Sequence, residues 1–290
     1  MERATLQGTV SAVGTDLAFL RIGAGEPVAV MPGGPRFGYA HLRRGFDLLA
    51  EDQEVIYYDE RGSGASPVGD QDLVTTAGTL SDLDALLDGL EITRTTLAGH
   101  SLAAHMVALY ATTRPERVRA LVLVHPGPPL VPELREQFGK EMASRRLPGD
   151  ADEIRQIEES PQYAARDLTT LEHYYRLYYA PFFRERENAL RADYGFTQVT
   201  AENVIGTAGR LFSDFGEHDL PGRLGTIACP TLVVHGELDP IPVESSRFIA
   251  NAIPAASLLV ISNASHFSFI EDPERFAATV EPFLAEHRSG

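Results

Sequence analysis

The sequence has no tryptophan and a single cysteine among its 290 residues. With Cys229 alone, no disulfide can form within the chain, and no cysteine-based metal site is possible. Unpaired cysteines are among the most buried residue types, so we expect Cys229 to be a structural thiol. Hydrophobic residues nevertheless make up 43% of the chain, which is enough for one large core or for a core with an inserted subdomain.

Positive charge is also scarce, because 25 Lys and Arg residues stand against 41 Asp and Glu, for a net charge of −16. Nucleic acids and anionic membranes bind basic surfaces, so neither is an expected partner. No apolar run approaches the ~18 residues of a membrane-spanning helix. The opening "MERATLQGTV" lacks the basic and apolar regions of a secretory signal, so we expect a cytoplasmic protein.

Strand-like and helix-like segments alternate over most of the chain. Several of the strands, such as 27–34 and 118–125, are apolar on both faces, which is typical of a parallel sheet covered by helices. The alternation predicts the α/β class. The predicted strands are 16–23, 27–34, 54–60, 92–98, 118–125, 230–236 and 257–262, and the predicted helices are 75–92, 101–113, 244–252 and 273–287.

The character of the sequence changes after "HPGPPLVP". Residues 133–221 contain no convincing strand and resemble a series of charged helices. Prolines mark both edges of this region, at 126–132 and at Pro221. We interpret the region as a helical insertion that divides the α/β sheet.

Three polar residues follow three separate predicted strands: Ser101 in "LAGHSLAAH", Asp239 in "VVHGELDPIPV" and His266 in "ISNASHFSF". Singly, they would be interpreted as a helix N-cap, a turn residue and a surface histidine. Together they indicate one shared site, since polar groups that follow parallel strands meet at one edge of the sheet. A serine becomes a nucleophile when an imidazole takes its proton and a carboxylate orients that imidazole.

The order Ser, Asp, His, each after a strand, resembles the α/β-hydrolase superfamily over nearly the whole chain. The resemblance implies a mostly parallel central sheet flanked by helices, with a core of 1–127 and 222–290 and a helical cap of 128–221. It also implies a catalytic triad of Ser101, Asp239 and His266. Glu237 is a competing carboxylate, but the family pattern G-x-x-D places the acid at Asp239.

A glycine-containing loop, "VMPGGPRFG" at 30–38, follows the second of the predicted strands. Acyl transfer passes through an oxyanion that needs preorganised N–H donors. We expect these donors to be the backbone N–H groups of Leu102 and Gly34. A plain Gly/Pro turn is the alternative interpretation of this loop.

A second loop, "YYDERGSGAS" at 57–66, matches the D-x-R-G-x-G-x-S pattern common in the superfamily. We expect a structural role for it, with Asp59 and Arg61 forming an ion pair beside the oxyanion segment.

The two loops together resemble the prolyl aminopeptidase (proline iminopeptidase) branch, whose oxyanion motif usually reads H-G-G-P-G. Here Pro32 replaces the histidine, Arg36 replaces the last glycine, and Ala103 stands where G-x-S-x-G has its final glycine. That branch holds the substrate amine with cap glutamates in tryptophan-containing motifs, which this chain lacks. Glu172, in "LEHYYRLYYAPFF", is the candidate for that role, and a solvated helix face is the alternative interpretation.

The sequence thus predicts a serine hydrolase that cleaves an amide, an N-terminal peptide bond or an ester in a small molecule or short peptide. The aminopeptidase form stands ahead of a carboxylesterase or lactonase. A non-hydrolytic member of the fold, which binds a ligand or acts as a lyase, is the alternative from another class. No cofactor and no metal are expected.

Overall fold

The fold is built on one β-sheet. The structure is a computed structural model that describes residues 4–34 and 37–288. Within those residues the sheet has eight strands in the order β1-β2-β4-β3-β5-β6-β7-β8. The β1–β2 and β2–β4 pairs are antiparallel and the remaining pairs are parallel. The strands are β1 Thr5–Ala12, β2 Thr15–Gly23, β3 Glu26–Met31, β4 Gln53–Tyr58, β5 Thr95–His100, β6 Val118–Val124, β7 Thr231–Gly236 and β8 Ala256–Ile261.

Helices cover the sheet and fill the long connection between β6 and β7. The α-helices are α1 Arg43–Phe46, α2 Thr76–Gly89, α3 Leu102–Thr113, α4 Pro132–Arg145, α5 Asp150–Glu158, α6 Pro161–Ala164, α7 Leu168–Tyr179, α8 Arg186–Arg191, α9 Gln198–Gly216, α10 Leu220–Arg223, α11 Val243–Ala252, α12 Ser268–Glu271 and α13 Pro273–Glu286. Short 3₁₀ segments supplement them at Ala40–Leu42, Asp47–Glu51, Gln71–Leu73, Pro115–Arg117, Ala180–Phe182 and Leu224–Thr226.

The predicted α/β class and the mostly parallel sheet are confirmed. The central strands are buried on both faces, and every residue of β5 is inaccessible. One strand was missed: β1 is exposed along almost its entire length, with Val10 as its buried residue, so it has no apolar pattern to detect. The fourth predicted strand, 92–98, lies at Thr95–His100 instead, which brings Ser101 directly after the strand.

The insertion between β6 and β7 is helical, as its composition predicts. It packs on the core through a continuous hydrophobic cluster that joins Val30 and Val124 of the sheet to Leu171, Tyr175 and Phe182 of the insertion. The predicted limit of the cap, between 221 and 222, lies inside α10. No helix in the described part of the chain combines the length and apolarity needed to cross a membrane.

The expected pairing of Asp59 with Arg61 is wrong. Arg61 is 1% exposed and forms a bidentate ion pair with Asp82 of α2, at 2.6 and 2.7 Å. Asp59 instead accepts the backbone N–H groups of Tyr39 at 3.0 Å and Ala65 at 2.9 Å. The 59–66 loop is therefore fixed beside the segment after β3, but through backbone contacts that the motif does not reveal.

The buried ion pair between Arg61 and Asp82 should contribute to the stability of the fold. Replacing Asp82 with Ala leaves the Arg61 guanidinium buried without its carboxylate, so we expect a loss of about 3–5 kcal/mol in the free energy of unfolding. Urea unfolding measures it. The matched control is Lys140→Ala, which breaks an exposed pair with Glu136 and should cost less than about 0.5 kcal/mol. Equal losses in the two variants would contradict the assignment.

Candidate active site

Ser101 occupies the turn between β5 and α3 in a conformation that few residues adopt. Its φ is 57° and its ψ is −120°, a strained combination for a side chain with a Cβ. Its N–H donates to the carbonyl of Val124 at 2.9 Å, which ties the turn to β6. Its hydroxyl does not cap α3, so the N-cap interpretation is wrong. Strain of this kind persists where the surroundings enforce it, and it is frequent at functional sites.

The turn is tight because the residues around it are small. A Cβ on Gly99 would lie 2.4 Å from the carbonyl oxygen of Ala103, so glycine is required there. Ala103 itself is buried, and it lines a small cavity together with Gly33 and Gly34. The close approach of strand and helix thus falls at Gly99, and the methyl of Ala103 is buried.

Asp239 and His266 lie on the loops after β7 and β8, and they contact each other directly. Nδ1 of His266 is 2.8 Å from Oδ2 of Asp239, and both side chains are inaccessible to solvent. Burial alone would raise the pKa of Asp239, but the neighbouring imidazoles of His266 and His125 hold it well below the usual range. The competing Glu237 is exposed, and its carboxylate accepts the N–H of Asn263 at 2.8 Å.

His100, the last residue of β5, links Ser101 to His266. The ring of His100 lies 4.8 Å from that of His266, and its Nε2 donates to the His266 carbonyl at 3.1 Å. Among the described residues, no hydrogen bond joins the Ser101 hydroxyl to His266. Ser101, Asp239 and His266 therefore share one edge of the sheet. In the described residues Asp239 and His266 are hydrogen-bonded to each other, whereas Ser101 and His266 are not.

The predicted oxyanion segment lies against the same turn. A Cβ on Gly33 would be 1.9 Å from the carbonyl oxygen of His100, so the loop contacts the backbone next to Ser101. Gly34 and Leu102 both line one small cavity. The role of their N–H groups as oxyanion donors stays a prediction. Pro35 and Arg36, the latter a departure from the family motif, lie outside the described residues.

Two further histidines surround Asp239, and with it they are spaced like metal ligands. The hydrogen bonds argue against that use. The N–H of Gly236 donates to Nδ1 of His125, and Nε2 of the same ring contacts Ser268 at 2.7 Å. Nε2 of His235 faces the Ile241 carbonyl, and Nδ1 faces the Ser246 hydroxyl at 2.9 Å. Both nitrogens of His125 and both nitrogens of His235 thus form hydrogen bonds within the protein, so neither ring has a nitrogen free to bind a metal.

The insertion supplies the opposite wall of the site. The carbonyl of Phe182 accepts the N–H of His266 at 3.1 Å, and its ring lies 4.8 Å from the imidazole. Tyr179 packs on Phe182 with 5.3 Å between ring centroids. The run "YYRLYYAPFF" gives no sign of which ring faces the core, so the contact of Phe182 with His266 follows only from the tertiary structure.

Glu172 lies on α7 with a third of its side chain exposed, and its ion-pair partner is Arg176 at 3.8 Å. Its role in substrate binding stays a prediction.

Buried histidines make the stability of this protein depend on pH. Burial lowers the pKa of His41, His105 and His125 to about 4. The unfolded chain binds these protons near pH 6.5, so stability is intact above that pH and falls as the pH drops towards 4. We expect a loss of up to ~1.4 kcal/mol per pH unit for each group. Urea unfolding at several pH values between 7.5 and 5 measures this loss.

The control for this prediction is His105→Asn, which removes one titrating ring from the stack on Phe215. Its unfolding free energy should vary less with pH than that of the wild type. An unfolding free energy that is the same at pH 7.5 and pH 5 would refute the prediction.

A family model described as the alpha/beta hydrolase fold matches residues 26–273. The chain is 27% identical to a proline iminopeptidase of Heyndrickxia coagulans, over 96% of this chain and 98% of that one. It is 29% identical to a 2-hydroxy-6-oxononadienedioate/2-hydroxy-6-oxononatrienedioate hydrolase of Pseudomonas putida, over 91% and 89% of the two chains.

A solved structure shares the same architecture. The proline iminopeptidase of Mycobacterium smegmatis superposes with a TM-score of 0.71 and 22% identity, over 97% of this chain and 98% of that one. At this identity the likeness concerns the fold. The sheet, the helical insertion and their order along the chain thus recur in a protein of nearly the same length.

Proposed function

Since this chain belongs to the α/β-hydrolase fold family, we propose that it is a serine hydrolase that cleaves an amide, N-terminal peptide or ester bond through an acyl-enzyme. The observation that carries the proposal is the Ser101 turn, with its φ of 57°, placed beside the 2.8 Å contact between His266 and Asp239. A plain loop serine has no need of such a conformation, whereas a nucleophile presented at the edge of a sheet does.

In the proposed first step, Ser101 Oγ attacks the substrate carbonyl carbon. As the Oγ–C bond forms, the hydroxyl proton passes to Nε2 of His266, and the carbonyl π pair moves onto oxygen. Asp239, bound to Nδ1, orients the ring and stabilises the imidazolium. The N–H groups of Leu102 and Gly34 stabilise the oxyanion, and losing one such donor costs about 3–4 kcal/mol.

The oxyanion then reforms the carbonyl, and the bond to the leaving group breaks as His266 returns its proton to that group. A water molecule next attacks the acyl-enzyme, giving its proton to His266. Collapse of the second intermediate releases the acid and restores the Ser101 hydroxyl. The sequence of steps balances with the residues of this chain and water, and it calls for no cofactor.

An aminopeptidase preference is supported by similarity to a proline iminopeptidase along nearly the whole chain. Such a preference needs a carboxylate for the substrate ammonium group, and Glu172 is the residue proposed for it. A small-molecule esterase or lactonase is the second candidate. The observation that favours it is the aromatic wall of the insertion, where Phe182 and Tyr179 face the site and offer no charge.

The nucleophile can be tested with a fluorophosphonate probe, which reacts with activated serines. We expect the wild-type protein to be labelled and Ser101→Ala to remain unlabelled, because the reactive oxygen is gone. Ser144→Ala is the control, since Ser144 is an exposed residue of α4 and its loss should leave labelling intact. An unlabelled wild-type protein would refute the hydrolase and favour a ligand-binding or lyase role.

Substrate class is tested by a panel of prolyl and alanyl arylamides against nitrophenyl esters. For an aminopeptidase we expect kcat/KM for a free-amine arylamide to exceed that for its N-acetylated form by ~10-fold or more, because the ammonium contact is then lost. Glu172→Gln should reduce that ratio and leave ester hydrolysis unchanged. A ratio near one, together with rapid ester hydrolysis, would assign the protein to the esterase class.

A further inference from the structure

Tyr179 brings a hydroxyl from the insertion to the predicted oxyanion segment. A Cβ on Gly34 would lie 3.7 Å from this hydroxyl oxygen, the same distance as from two ring carbons of Phe37. Gly34 carries one of the two backbone N–H groups proposed to bind the oxyanion. The phenol of Tyr179 therefore lies beside a residue that is proposed to bind the developing negative charge.

Neighbouring rings hold the phenol in place. Phe37 and Phe182 each lie 5.3 Å from its ring, and Phe267 lies 6.0 Å from it, edge to face. Phe182 in turn contacts His266 at 4.8 Å. Tyr179 is also the last residue of α7, a regular helix of 12 residues, which fixes its backbone. The hydroxyl is thus presented by a rigid element and not by a mobile loop.

The hydroxyl is chemically available. Within the described part of the chain it makes no hydrogen bond, unlike Tyr174 on the same helix, whose hydroxyl donates to Glu158 at 3.0 Å. Burial and the neighbouring phenols raise the pKa of Tyr179 well above its usual value, so it keeps its proton at neutral pH. The side chain is half-buried among aromatic rings, and a protonated phenol without a protein partner there can donate a hydrogen bond to a bound group.

We propose that Tyr179 is a catalytic residue that donates a hydrogen bond to the oxyanion of the tetrahedral intermediate. It acts as a third donor beside the N–H groups of Gly34 and Leu102. The inference rests on the proposed function, because it needs an oxyanion formed at Ser101. The phenol keeps its proton throughout, and its contribution is electrostatic. In an apolar enclosure such a bond strengthens as charge develops on the acceptor, which lowers the barrier.

With this assignment, the hydrogen-bond donors for the oxyanion come from both the core and the insertion. The backbone donors come from the loop after β3 and from the start of α3, whereas the side-chain donor comes from the end of α7. A substrate would then meet all three donors only where the insertion is packed on the sheet.

Tyr179→Phe tests the proposal, because it removes the hydroxyl and keeps the ring. With the best ester from the panel, we expect kcat to fall on the order of 10²-fold and KM to change less than about 3-fold. Tyr178→Phe is the matched control: it removes a neighbouring hydroxyl on the same helix from a residue that is 39% exposed, and it should leave kcat within about 2-fold. Thermal unfolding of both variants checks that they are folded.

A second measurement separates the oxyanion role from a packing role. The thionoester of the same substrate develops its charge on sulfur, a poorer hydrogen-bond acceptor, so it benefits less from the donor. The wild type should therefore prefer the oxygen ester over the thionoester by a larger factor than Tyr179→Phe does. A purely structural effect of the substitution would slow both substrates equally.

Three results would overturn the inference. An unchanged kcat in Tyr179→Phe would show that the hydroxyl is not used. A raised KM with an unchanged kcat would assign it to substrate binding. An equal preference for the oxygen ester over the thionoester in the wild type and in Tyr179→Phe would assign the hydroxyl to packing. In each of these cases Ser101-dependent labelling and hydrolysis by the wild type persist, so the proposed function stands. Absence of both from the wild type would remove the proposed function and this inference together.

Discussion

The left-handed backbone of Ser101 is the constraint on which the rest of the site depends. Such a conformation costs of order 1–3 kcal/mol and persists only when its surroundings allow no alternative. Two hydrogen bonds hold the backbone of Ser101 in this conformation: its N–H donates to the Val124 carbonyl, and its carbonyl accepts the Gly127 N–H at 3.3 Å. The close approach of Gly33 to His100 restricts the turn further. These partners come from two other segments, the end of β6 with the turn after it and the loop after β3, so the conformation of the Ser101 turn depends on the assembled sheet.

Burial of polar groups is the second constraint, and around Asp239 these groups are paired with one another. Asp239 has a bond for each carboxylate oxygen, one from His266 and one from the N–H of Ile241. His125 and His235 are held neutral by burial, which lowers their pKa, and both nitrogens of each ring have partners. Oδ2 of Asp239 lies 2.8 Å from Nδ1 of His266 and 3.3 Å from Nδ1 of His125, so two imidazoles contact the carboxylate and His266 is the nearer.

The helical insertion takes part in the site as well as covering it. The backbone carbonyl of Phe182 accepts from both the N–H of His266 and the hydroxyl of Ser265. Glu271 joins the same two regions, because its carboxylate accepts the N–H groups of Arg184 and Ser265. The loop that carries His266 is thus held from the insertion side. A change in the packing of the insertion would therefore shift the loop that carries His266.

Local patterns in the sequence determined the α/β class, most of the strands and the order of Ser101, Asp239 and His266 after them, because apolar periodicity and turn residues act over a few positions. The exposed strand β1 has no such pattern and was missed. Only the tertiary structure decided that Arg61 pairs with Asp82, that His266 contacts Asp239 while Glu237 faces solvent, and that Tyr179 reaches Gly34 in the loop after β3. Those contacts join residues distant in the chain, so their partners follow from how the helices pack on the sheet and not from sequence spacing.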